Sequence, residues 1–214
     1  MGVLKMPMRE DREYRDISVN RLEIRTLDDG QDVVEGYATT FTEPYLLYEE
    51  DGYRLWESVD PHAYDDCDLS DIIMQYNHEG RVFARGGNKT LVVKPDDHGL
   101  WIRAYLGGTE IGRQLLEEIR GGYTTKMSQG FRVAKDERRV VEDLENNRID
   151  VYRTILKVKK LYDVSAVSLP ANDATEISAR SFGEGVISEV RGEIAAEKAR
   201  ARKKEQIKII AGGI

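Results

Sequence analysis

Alternating apolar and polar positions dominate the chain from its first strand to about residue 169. Leu22, Ile24 and Thr26 alternate with charged neighbours and predict a strand over 21–26. Asp28-Asp29-Gly30 predicts a turn, and the β-branched and aromatic run Val33 to Phe41 a second strand, so the two read as an antiparallel hairpin. Gly36 within that run marks a bulge or a close backbone approach. Residues 42–69 show no period and read as irregular, with Glu49-Glu50-Asp51-Gly52 at a loop tip. Asp71 to His78 reads as a buried strand ending at the histidine, after which Glu79-Gly80 turns the chain. Arg85-Gly86-Gly87-Asn88 predicts a further turn, Leu91 to Lys94 a short strand, and Leu100 to Leu106 another. Thr109 to Arg120 switches to helical spacing: Ile111, Leu115, Leu116 and Ile119 share one face, Thr109 can cap the start and Gly121 can close the end. A strand through Ser128 follows, then a charged, exposed excursion over 136–147. Ile149 to Val158 and Leu161 to Leu169 read as one long strand that ends at Pro170-Ala171-Asn172. From about Ser181 the chain turns rich in Ala, Glu, Lys and Arg, with Val186, Ile187, Val190 and Ile194 at helical spacing; this predicts an amphipathic helix attached to the domain rather than part of its core.

The pattern implies an α+β fold, mainly antiparallel β, closed or partly closed into a barrel with a few helices around it. It divides the chain into a flexible arm over 1–18, a principal domain over 19–180 and a charged helical tail over 181–214. The 214 residues suffice for one buried core plus a tail. A net charge of -7 argues against nucleic acid as the main partner. No apolar run reaches membrane-spanning length, and the polar N-terminus carries no signal-peptide core. A single cysteine, Cys67, rules out an internal disulfide framework and fits a reducing compartment. Its neighbours Asp65, Asp66 and Asp68 disfavour a thiolate, which makes Cys67 a poor nucleophile. The same acidic run lacks the alternating oxygen ligands, glycine and distal glutamate of a calcium loop, and reads as solvated. Gly86-Gly87 has neither a following helix nor Gly-Lys-Ser/Thr, so it is not a phosphate loop.

Three residues could carry chemistry. Ser128, in Lys126-Met127-Ser128-Gln129-Gly130-Phe131, sits on a strand after a helix closed by Gly121-Gly122, where a nucleophile can be presented. Most Ser-x-Gly triplets are turns, so the triplet gains weight only from what surrounds it. His78 titrates near neutral pH and suits a general base; a histidine satisfied by local hydrogen bonds is the plainer reading. His62 and His98 lie in polar turns and read as surface residues. Asp163 lies between Tyr162 and Val164, where a buried charge needs a partner; it would serve either as the group orienting a histidine or as an edge-strand acid paired with Lys159 or Lys160. Lys126, two residues before Ser128, shares its strand face at about 7 Å, which keeps a Ser–Lys dyad open.

Four stretches in order resemble the prohead (capsid maturation) proteases of tailed bacteriophages, whose fold is similar to that of the herpesvirus assemblin proteases. They are Val34-Glu35-Gly36-Tyr37-Ala38-Thr39-Thr40-Phe41, Gln75-Tyr76-Asn77-His78-Glu79, Lys126 to Phe131, and Leu161 to Asn172 with its Asp163-Val164-Ser165 and Pro170-Ala171-Asn172. Asp97-His98-Gly99-Leu100 also falls in the expected order, and the resemblance covers about residues 20–180. It implies Ser128 as nucleophile, His78 as base and Asp163 as third member, although the family usually has glutamate there. The herpesvirus relatives use a second histidine, which would point to His98. The family's Gly-Ala-Phe stretch stands here as His62-Ala63-Tyr64. The resemblance further implies a serine endopeptidase acting in the assembling procapsid, in the host cytoplasm, on the scaffolding segment of the major capsid protein and on itself. The helical tail would be a packaging element removed by self-cleavage. A homo-oligomer is compatible; no metal, organic cofactor, membrane or nucleic acid is implied. The alternative from another class is a non-enzymatic capsid-assembly or scaffolding protein.

Overall fold

The computed structural model describes residues 4–5, 12–41, 44–167 and 173–211. In chain order its elements are β1 (Leu4–Lys5), β2 (Glu13–Arg21), β3 (Glu23–Thr26), β4 (Asp32–Thr40), β5 (Tyr45–Glu50), β6 (Tyr53–Val59), β7 (Ile73–Tyr76), β8 (Glu79–Arg85), β9 (Leu91–Pro95), β10 (Gly99–Ala104), α1 (Glu110–Arg120), β11 (Lys126–Asp143), β12 (Arg148–Val167) and α2 (Asp173–Ala211). The long antiparallel pair β11–β12 is the spine. Along the outer edge of β11 lie β2, opposite 126–131, and β1, opposite 137–138. Along the outer edge of β12 lie β6, parallel to 149–155, and β7, parallel to 163–166. The hairpin partners β5 and β8 extend these edges. A second sheet has the order β3-β4-β10-β9.

The fold is thus α+β and mainly antiparallel. Among the described residues the strands form two sheets and do not trace a closed barrel. The principal core lies between the sheets and includes Val34, Met74, Leu100, Ile102, Met127, Phe131, Leu161 and Val164. Helix α1 covers it with Leu115, Leu116 and Ile119, each worth about 1.5–3 kcal/mol when buried. As the spacing predicts, Thr109 caps this helix by accepting from the Gly112 amide at 3.1 Å, and Gly121 closes it.

Four stretches differ from the sequence reading. The supposedly irregular 42–69 contains the hairpin β5–β6, turned by Asp51 and Gly52 with φ of 48° and 79°. That Asp-Gly pair with both φ positive is the two-residue turn whose twist matches flanking strands. Residues 136–143 are not an exposed excursion but the far half of β11. Two of their charges are buried because remote partners meet them: Asp136 accepts from Arg153 at 2.6 Å, and Arg138 bonds Glu189 and Glu193 of α2, whereas Arg139 and Glu142 are exposed as expected. Residues 13–18, expected in a flexible arm, lie in β2. The helical tail begins at Asp173, and its first half is not merely attached: Phe182, Val186 and Val190 form a second core cluster with Leu55 and Val151. Gly183 permits the close approach, since a Cβ there would lie 2.5 Å from the Tyr48 ring.

Candidate active site

Strands β11 and β12 and the turn that follows their neighbour β7 each supply one side chain. On β11 and β12, Ser128 faces Ser165 and Gly130 faces Asp163. The next pair is Phe131 with Leu161, so Tyr162 is an extra residue; the bulge locally re-aims β12 beside Asp163. On the other edge of β12, β7 runs parallel until Ala166 meets Tyr76. The chain then reverses, not at Glu79-Gly80 but at Asn77-His78, with φ of 51° and 62° and Tyr76 paired to Glu79. This two-residue turn places non-glycine residues in the left-handed region, at about 1–2 kcal/mol apiece. The Asn77 amide, donating to the Ala166 carbonyl at 3.0 Å, ties the turn to β12.

From that tip the His78 ring reaches back over β12. Its Nδ1 lies 2.5 Å from Asp163 Oδ1, and its Nε2 lies 2.5 Å from Ser128 Oγ. Asp163 is fully buried and otherwise accepts from the Ser165 hydroxyl at 2.9 Å and from the Arg12 guanidinium. With a carboxylate on Nδ1, the neutral ring carries its proton there and leaves Nε2 free to accept from Ser128. Burial first, and the Arg12 cation second, push the His78 ring down to about 4. It is therefore neutral, and available as a base, across the neutral pH range. Gly130 explains the third residue of Ser-x-Gly: a Cβ there would run into Asp163 Oδ2 and the Arg12 guanidinium. The motif needs a residue without a side chain because the carboxylate lies over that strand position.

The site is covered from the β11 edge. Ser128 is fully buried and the His78 side chain is 3% exposed. The Tyr14 ring sits 4.5 Å from the His78 ring, and Arg12 lies over the rings of Tyr14 and Tyr162 at 5.0 and 4.7 Å. The Ser128 hydroxyl is also 3.0 Å from the Arg15 carbonyl oxygen, which can accept from it.

Of the sequence candidates, the structure brings together Ser128, His78 and Asp163. His98 lies in the turn between β9 and β10 of the other sheet, edge-on to Tyr37 at 4.6 Å. His62 is an exposed residue 3.1 Å from Asp65. Cys67 is pushed up to about 12, by burial foremost rather than by its acidic neighbours. Asp66 and Asp68 of that acidic run pair with Lys157 and Lys160. The Pro170-Ala171-Asn172 stretch lies outside the described residues. Sequence reasoning missed Ser165, Arg12 and Tyr14. Ser165 was open to discovery, since it stands two residues after Asp163 on one strand face. Arg12 and Tyr14 had no such signal.

A family model for the caudovirus prohead serine protease matches residues 20–186. No curated protein and no solved structure matches the chain.

Proposed function

The chain belongs to the caudovirus prohead serine protease family, and from that premise we propose that it is a capsid-maturation endopeptidase with Ser128 as nucleophile, His78 as general base and Asp163 as the group that orients His78. The observation that carries this reading is the unbroken hydrogen-bonded run from Ser128 through His78 to Asp163. As Ser128 Oγ bonds to a peptide carbonyl carbon, its proton passes to His78 Nε2. The imidazolium is stabilised by Asp163 and gives that proton to the departing amine. Water then repeats the cycle on the acyl-serine. Once β2 moves off the outer edge of 126–131, the backbone N–H groups of Ser128 to Gly130 on that edge would stabilise the oxyanion. Ser165 and Arg12 hold the Asp163 carboxylate through its two oxygens. The substrates are the scaffolding segment of the major capsid protein and the protease itself, cut within the procapsid. Among the described residues no helix is long and apolar enough to cross a membrane.

The test is the intact mass of the full chain and of co-expressed capsid protein over time, for wild type, Ser128→Ala, His78→Ala and Asp163→Asn. Cleavage in wild type that disappears with Ser128→Ala and His78→Ala is the expected result. Cleavage that persists in Ser128→Ala removes the assignment. A scaffolding protein without activity would assemble capsids equally well with or without the serine. A Ser–Lys dyad through Lys126 would leave His78→Ala active.

A further inference from the structure

Strand β2 lies almost wholly before residue 20, where the match to the family begins, yet it covers the nucleophile. Its pairing is the antiparallel addition that an extended peptide makes to a sheet edge, with Arg15 opposite Gln129 and Asp16 opposite Ser128. Over 126–131 the backbone of β11 is paired on both sides, to β12 and to β2. An incoming substrate strand would have to take the place of β2. The Arg15 carbonyl lies 3.0 Å from Ser128 Oγ and competes with His78 Nε2 for a single hydroxyl proton. Side chains alternate along 12–15, from the residue before β2 into the strand: Arg12 and Tyr14 cover Asp163 and His78, while Glu13 and Arg15 turn to the opposite face.

There Arg15 enters a built site. Its Nε and Nη2 grip the two oxygens of fully buried Glu57 at 2.6 and 3.1 Å, the fork geometry that suits a guanidinium. The rings of Phe182 and Phe131 lie 5.0 and 6.0 Å from its guanidinium carbon. Tyr45 donates to Glu57 at 2.5 Å and fixes the carboxylate. Glu13 and Arg15 cancel in charge, so without β2 this space keeps the same excess of acid, Glu57 and Asp136 against Arg153, while Glu57 loses the guanidinium fork that another basic side chain would restore.

We infer that β2 is an intramolecular pseudosubstrate whose Arg15 fills an arginine-binding subsite made by Glu57, Phe131 and Phe182. Substrates are extended segments that displace β2 along β11, place an arginine in that subsite and present its carbonyl to Ser128. The inference rests on the proposed role of Ser128.

The experiment uses the full chain as wild type, Arg15→Ala, Glu57→Gln and Tyr14→Ala, with thermal unfolding to confirm the fold of each. A fluorophosphonate reports the reactivity of Ser128. The peptide Asp-Arg-Glu-Tyr-Arg with a fluorogenic C-terminal amide, and its counterpart ending in leucine, report the subsite. Arg15→Ala should label about tenfold faster than wild type and prefer the arginine peptide by about tenfold, each factor being one decade of barrier. Glu57→Gln should label faster as well but lose that preference. Tyr14→Ala leaves the buried cluster intact and should label several-fold faster, which keeps the test valid if the cluster variants do not fold. Equal labelling of wild type and the folded variants would overturn the occlusion and leave Ser128 as nucleophile. Faster labelling without arginine preference would overturn the subsite. No labelling in any form would overturn both this inference and the catalytic reading.

Discussion

Replacing Gly130 by alanine adds one methyl group to a strand whose backbone accepts alanine without strain, so its effect isolates one contact. The new Cβ would overlap Asp163 Oδ2 and the Arg12 guanidinium. Arg12 is the end of a half-exposed side chain and can swing aside. The Asp163 carboxylate has less freedom, because it is fully buried and held by His78 and Ser165. It must shift by something near 1 Å, and a misplacement of about 1 Å in a catalytic group costs about 10²-fold in rate, or about 2.7 kcal/mol of barrier. The cost to folding should be that of overpacking, about 1–3 kcal/mol. Peptide cleavage rates and urea unfolding, measured on Gly130→Ala, Asp163→Ala and the double variant, separate the terms. With Asp163 shortened the methyl has room, so the double variant should be no slower than Asp163→Ala alone. Two results would refute the reasoning: Gly130→Ala within about threefold of wild type in rate, or losses that simply add in the double variant.

His78 should titrate near 4 in the intact chain by NMR, against about 6.5 when unfolded. A base whose folded value is depressed contributes its full stability above the unfolded value and loses it as pH falls from about 6.5 to about 4, here about 3 kcal/mol in all; urea unfolding from pH 7 to 4 should show this slope, and His78→Gln should flatten it. Arg153→Met strips a shared partner from Glu13, Glu57 and Asp136 and should destabilise the chain by about 3–5 kcal/mol by thermal unfolding, since unpaired charges stay buried. Gly183→Ala should push α2 off the Tyr48 ring at about 1–3 kcal/mol, seen as faster hydrogen exchange over 182–190.

The three residues proposed for catalysis were legible because each sits in a short local pattern: a histidine at a strand end, a serine two places before a glycine, an acid among apolar strand positions. What escaped the sequence was governed by partners far along the chain. Asp136 looked exposed because its partner Arg153 lies beyond the turn, and Arg15 looked like arm because Glu57 is 42 residues away. The hairpin at Asp51-Gly52 is a different kind of miss. Its turn chemistry was local and readable, but the aromatic and acidic flanks Tyr45 to Glu50 obscured the alternation. The histidine's turn was missed for a third reason: Gly80 lies in β8 at φ 74°, and a glycine beside an asparagine–histidine pair draws the eye to the wrong dipeptide.

Strand β12 is anchored by charge at two points, Arg153 in the buried cluster and Asp163 under His78, and both belong to one continuous strand. Side-chain facing alternates at every residue, so losing or gaining one residue between these anchors would turn one of them away from its partners. Length changes in this lineage should therefore be absent from 154–162 unless they come in pairs or exchange one bulge for another. The Leu144 to Asn147 tip lies beyond both anchors and is open to them. The spacing between two charges, more than the identity of the residues between them, is what descent has to preserve.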